Sequence, residues 1–120
     1  MKYLCLVYFD PALLTTMSAA ERAKLDNDSM DYDEALAARG QLIVAEALQP
    51  PASARVVQTR GGKLSQTDGP FVETKEQLGG FILVDVPDLN AAIQVAARIP
   101  LAKYGAIEVR PIAKVERIAS

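Results

Sequence analysis

Gly79-Gly-Phe-Ile-Leu-Val-Asp-Val86 is the stretch that decides how this chain folds. Its aromatic and branched residues predict a β-strand over Phe81–Val86. Successive side chains of a strand alternate between the two faces of a sheet. Ile82, Val84 and Val86 therefore share one face, and Phe81 and Leu83 share the other. Lys2–Phe9 repeats the pattern, with Tyr3, Cys5, Val7 and Phe9 on one side and Leu4, Leu6 and Tyr8 on the other. A sheet built from such strands needs cover on both faces, because an open apolar face is a liability in water. Gly79 and Gly80 at the strand start admit a bulge or the close approach of another group.

Upstream lies Asp68-Gly-Pro-Phe-Val-Glu-Thr-Lys-Glu-Gln-Leu78. Asp68-Gly69-Pro70 is a turn: the aspartate can bond nearby amides, the glycine accepts unusual angles and the proline fixes its own. Phe71 after it is expected to plug inward. Thr74 to Gln77 reads as a capping box and predicts a single helical turn. Earlier still, Arg55–Thr59 and Lys63–Thr67 flank Gly61-Gly62, a hairpin signal. Their polarity points to an edge or a projecting flap.

Ser18 and Glu21 form a capping box, so a helix is expected over Ala19–Arg39 with Gly40 as its stop. Leu25, Tyr32 and Leu36, joined by Ser29, make its buried face; Lys24, Asp28, Asp31 and Glu34 lie opposite. The acidic run from Asp26 to Glu34 lacks the glycine and terminal glutamate of a calcium loop and reads as a solvated face. Gln41–Gln49 is the next strand, ended by Pro50-Pro51. Leu42, Val44, Glu46 and Leu48 alternate on one of its faces, which places Glu46 among apolar neighbours. A carboxylate buried there needs a partner or a shifted pKa. Asp88 caps a second helix with Leu89, Ala92, Ile93 and Ala96 as its buried stripe, and Pro100 stops it. Ile107–Val109 is the last strand, and Ala113–Ile118 extends along an edge or toward a partner subunit.

With the hairpin aside, the order is strand, helix, strand, strand, helix, strand. This is the α+β, ferredoxin-like βαββαβ pattern, carrying helices on one face of the sheet. No third helix is available for the other face. The simplest cover is a second copy, packed sheet to sheet as a symmetric homodimer. The 120 residues fit one domain, residues 1–120.

Composition closes several routes. The chain has no histidine, which excludes a His-dependent triad and a His-ligated zinc site. Cys5 is the single cysteine, so no internal disulfide forms. No cofactor and no metal are expected. A net charge of −2 gives no electrostatic support to direct nucleic-acid binding. No apolar run is long enough to span a bilayer. The strand-like start has no cleavage-site pattern, so a cytoplasmic protein is expected.

The run Thr67-Asp-Gly-Pro-Phe-Val-Glu-Thr-Lys-Glu-Gln-Leu-Gly-Gly-Phe81 resembles the signature of the DGPF-domain family, a branch of the YCII-related proteins. The flanks agree: Met1-Lys-Tyr, Glu46-Ala-Leu-Gln-Pro-Pro51, Asp85-Val-Pro-Asp-Leu89, Tyr104-Gly and Glu108-Val-Arg-Pro111. The resemblance implies a dimeric α+β barrel with a cleft between the sheets and the helix and loop layer. The wider superfamily includes muconolactone isomerase-like and dehalogenase-like enzymes. DGPF proteins are often encoded beside extracytoplasmic-function sigma factors, which implies a sigma factor as a protein partner by association only. YCII proteins in the narrower sense carry a histidine–aspartate dyad. This chain has no histidine, so the dyad does not transfer.

Candidate site residues follow from strand ends and from the signature. Tyr8 and Asp10 end the first strand, Glu46 lies on a neighbouring element, and Asp68, Phe71, Glu73 and Lys75 come from the signature. Glu46 or Asp68 is the candidate general base, in place of histidine. Lys75 or Arg110 is the candidate to steady a developing negative charge. Two function classes stay open. One is a small-molecule binder or enzyme that transfers a proton on a small acid. The other is a non-catalytic dimeric regulatory module whose acidic helix face, Asp28, Asp31 and Glu34, docks a basic partner. Asp-Gly-Pro-Phe also has a purely structural reading as a turn with Phe71 in an interface.

Overall fold

The computed structural model describes residues 1–119. Six strands and three helices follow in the order β1 (Lys2–Phe9), α1 (Ala12–Thr16), α2 (Ala19–Ala38), β2 (Leu42–Ala47), β3 (Arg55–Arg60), β4 (Lys63–Asp68), β5 (Gln77–Asp85), α3 (Leu89–Ala97) and β6 (Ala106–Pro111). Four strands form an antiparallel sheet in the order β2-β5-β1-β6. With the helices on one side, the protein is an α+β domain with the ferredoxin-like arrangement.

The helix-side face of the sheet is the core. Tyr3, Cys5, Val7 and Phe9 of β1 and Ile82, Val84 and Val86 of β5 are buried there against Leu36 of α2 and Ala92, Val95 and Ala96 of α3. The opposite face carries Leu4, Leu6 and Tyr8 beside Phe81 and Leu83, all half-buried in the single chain. Rows run straight across it: Glu46 pairs Phe81, Phe81 pairs Leu6, and Leu6 pairs Glu108. The apolar middle of this face is thus bordered by charge at both edge strands.

Local signals explain the helix ends. Ser18 Oγ accepts from the Glu21 amide at 3.1 Å while the Glu21 carboxylate accepts from the Ser18 amide at 3.0 Å. Gly40, with φ 72°, takes the left-handed turn that ends α2. The Asp88 carboxylate caps α3 by accepting from the Ala91 amide at 2.9 Å. The buried stripe of α3 differs from the expected one. Ala92, Val95, Ala96 and the following Ile99 face the sheet, whereas Leu89 and Ile93 are exposed. The two alanines let the helix lie close to the sheet, and Val95 and Ile99 fill the flanks.

A short helix not expected from sequence follows β1: the Asp10 carboxylate accepts from the Ala12 amide and Pro11, with φ −55°, is set for the start of α1. Two further readings are corrected. Thr74–Gln77 forms no helical turn. The Gln77 amide donates to the carbonyls of Val72 and Thr74 and pins the loop from outside, so β5 begins at Gln77. β2 does not alternate evenly. A register shift between Leu42 and Val44 turns Leu42 to the core and Val44 and Glu46 to the open face, opposite Leu83 and Phe81.

β3 and β4 pair only with each other, around Gly61 and Gly62 at φ 56° and 76°. They form an arm on the body. The radius of gyration is 16.9 Å, against about 14 Å for a compact chain of this length. Among the described residues no helix is long and apolar enough to cross a membrane.

Candidate functional site

A cleft of about 510 Å³ opens between α2 and the β2–β5 edge of the sheet. Its position follows from side-chain size. Ala45, Ala47, Gly79 and Gly80 line the strand side and leave room that larger residues would fill. Gly79 is the bulged residue of β5: Val7 pairs Gly80 while Tyr8 pairs Leu78. A Cβ on Gly79 would run into the Phe9 ring, and one on Gly80 would stand 2.8 Å from the Glu46 carbonyl oxygen. These glycines therefore set both the strand pairing and the wall of the cleft.

α2 supplies the opposite wall. Arg22, Asp26, Ser29 and Asp33 recur at helical spacing beside the Leu25–Tyr32 stripe, and all six line the cleft. The Tyr32 hydroxyl donates to the Val95 carbonyl at 2.7 Å, which fixes the back of this wall to α3. Burial pushes the Asp33 carboxyl above the usual aspartate range. Burial also pushes the Tyr32 hydroxyl up, with Arg39 and Arg98 pulling weakly the other way. A second cavity of about 290 Å³ continues the cleft past Arg22 toward α1 and Pro50-Pro51.

The residues singled out from sequence are dispersed in the protomer. Glu46 lines the cleft, but it is exposed rather than partly buried, because its face of β2 is the open one. Tyr8 and Arg110 belong to the open sheet face, on β1 and the edge strand β6. Asp10 serves the turn into α1. Asp68 forms an exposed ion pair with Arg55 across the base of the arm, where the Gly69 amide also donates to the Ala54 carbonyl at 2.8 Å. Phe71 does not plug inward: it is 75% exposed. Glu73 and Lys75 are exposed on the same loop. Of these eight residues, the protomer puts only Glu46 in the larger cleft.

Sequence reading missed Arg22, Asp26 and Asp33. The available signal was their spacing: 22, 26, 29 and 33 form a stripe flanking the buried one, where a helix borders a cavity rather than water. Among the described residues, no group of three or more His, Cys, Asp or Glu is placed to hold a metal ion.

The YCII-related domain model matches residues 1–116. The chain belongs to the YCII-related family. This YCII-related chain is also similar to an uncharacterised protein of Rhizobium meliloti (strain 1021). The two are 33% identical over 115 residues, covering 94% of this chain and 93% of the relative.

Proposed function

We propose that this YCII-related protein is a homodimer that binds a small acidic molecule in the α2–β5 cleft and transfers a proton on it. The observation that carries the reading is the composition of that cleft. It has an apolar floor and, on the α2 wall, one guanidinium and two carboxylates, the arrangement of a small-molecule site with a few convergent polar groups. Asp33, held above the usual aspartate range by burial, is a stronger base than an ordinary aspartate and is the candidate to take the proton. Asp26 on the same α2 wall is the second group, and Arg22 balances the charge of a bound acid. Proton abstraction by one carboxylate and return at another carbon of the ligand would give isomerase-like chemistry; expulsion of a leaving group from the neighbouring carbon in place of that return would give lyase-like chemistry. Asp33→Asn and Asp26→Asn are the test, with bound small acids followed by amide chemical shifts and by exchange of ligand protons with deuterated water. Binding retained with exchange lost supports the reading; exchange unchanged in both variants overturns the catalytic part.

The dimer rests on the open sheet face. Leu4, Leu6, Tyr8, Phe81 and Leu83 form a continuous apolar strip that a second copy would cover face to face. Light scattering behind size-exclusion chromatography tests it at micromolar protein. A mass near 12.9 kDa, that of one chain, overturns it, and Leu6→Glu should convert the dimer to that mass. The regulatory reading finds its support in the outward face of α2, where Asp31 and Glu34 are exposed, and a basic protein partner would be recovered on that face.

A further inference from the structure

The cleft reading above leaves the ligand's charge layout unspecified, and the two cavities constrain it. They meet along a shared border that includes Phe9, Leu14 and Arg22. Among the described residues, Arg22 is the one cation lining either cavity, and it lines both. The carboxylates are not shared. Asp26 and Asp33 of α2 line the larger cavity, Glu46 borders it from β2 with its side chain on the open sheet face, and among the described residues no carboxylate lines the smaller one.

The field along the cleft is therefore one-directional. An anion on the smaller-cavity side of Arg22 gains the guanidinium without facing the two carboxylates. Gln49 also lines that side, and among the described residues its amide makes no hydrogen bond. Arg22 makes no ion pair within the described residues, so its charge is available. The charge layout follows from sequence position. Arg22 sits near the amino-terminal, positive end of α2, while Asp33 lies eleven residues further along the helix. At about 1.5 Å of rise per residue, the carboxylates stand roughly 6 to 16 Å beyond Arg22 along the wall. An apolar floor of Ala45, Ala47 and Ile82 runs between.

We infer that the cleft is built for a dipolar molecule: a short apolar chain with a carboxylate at Arg22 and an ammonium toward Asp26 and Asp33. The chemical class is the ω-amino acids and close analogues. An α-amino acid holds its two charges too close together to span this wall. A simple monoacid satisfies Arg22 and leaves the two carboxylates unanswered. A simple amine does the reverse.

Three probes of equal chain length separate these cases on the intact protein: 6-aminohexanoate, hexanoate and hexylamine. Amide chemical-shift titration reads their affinities at low ionic strength. The expected result is 6-aminohexanoate tighter than either other probe by about tenfold or more, with shifts at residues 22, 26 and 33. Arg22→Gln should lower its affinity to that of hexylamine, and Asp26→Asn with Asp33→Asn to that of hexanoate. Arg22 and Asp26 are exposed and Asp33 is half-buried, and each replacement keeps the side chain polar and close in size, so these variants keep the fold. Hexanoate binding as tightly as 6-aminohexanoate overturns the dipolar assignment and leaves the small-acid reading standing. Hexylamine binding tightest overturns both the assignment and the role given to Arg22. No shift at the cleft with any probe overturns the assignment together with the cleft reading on which it rests.

Discussion

The Tyr32 hydroxyl donates a 2.7 Å hydrogen bond to the carbonyl oxygen of Val95, joining the middle of α2 to the last turns of α3. The two residues are 63 positions apart, and the bond closes the helix layer behind the cleft. Tyr32→Phe keeps the ring and removes the bond. The Val95 carbonyl still accepts from the Arg98 amide at 3.2 Å, so it is not left without a partner. The expected cost is about 0.5–1.5 kcal/mol of unfolding free energy, with the ring's packing unchanged. Urea titration followed by circular dichroism measures it.

Asp33 predicts a pH dependence with a definite sign. Burial raises its folded-state pKa above the ordinary aspartate value, so the folded protein holds this proton more tightly than the unfolded chain does. As pH falls through the raised value toward the unfolded one, this group adds stability; at neutral pH its ionised form subtracts some. Asp33→Asn should therefore raise the urea midpoint at neutral pH, and the gain should shrink as pH approaches the unfolded value. A gain that is the same at both ends of that window would sink the assignment.

Cys5 is completely buried in β1, and burial pushes its thiol up to about 11. The thiolate is the reactive form, so two barriers act together: access and ionisation. A thiol-specific reagent at pH 8 should modify Cys5 only after unfolding. Labelling in urea should follow the same curve as the loss of circular dichroism.

Leu36 has no solvent exposure and sits where α2 meets the sheet. Leu36→Ala should cost about 2–5 kcal/mol through lost burial and an unfilled cavity. Gly80→Ala acts by the opposite route. Its new Cβ would stand 2.8 Å from the Glu46 carbonyl oxygen, so β2 must move away from β5. A loss of roughly 1–3 kcal/mol is expected, with amide shifts concentrated on residues 44–48. Both costs are read from the same chemical denaturation series.

The sheet and the main helix were legible because their signals are redundant. β1 announces itself by residue type, by alternation and by the Asp10-Pro11 stop; α2 by a reciprocal cap, a stripe and Gly40. The order of the central sheet follows from which strands are apolar on both faces. The exposure of Leu89 and Ile93 was not legible. Helical spacing accommodates either Ala92, Ile93 and Ala96 or Ala92, Val95 and Ala96, and only the closeness of α3 to the sheet chooses. The register shift at Ile43 was hidden because an alternating run of apolar residues reads the same with or without a bulge. The cleft was the least visible feature. A cavity is a property of what is missing between elements, and the four small residues that create it, Ala45, Ala47, Gly79 and Gly80, carry no chemistry of their own. Residue types at Asp68–Lys75 drew attention to an exposed loop, while Asp33 looked like one more acid on a solvated helix.

The β3–β4 arm touches the body of the domain mainly at its base. Its opening need not wait for the rest of the chain, because few buried contacts would be broken with it. Amide protons of residues 55–68 should thus exchange well before those of β1 and β5. The glycine pair at its tip is the place where foreign sequence can be spliced in with least disturbance. A peptide tag or a small fluorescent domain carried between Gly61 and Gly62 would report on the protein in cells from outside its cooperative unit.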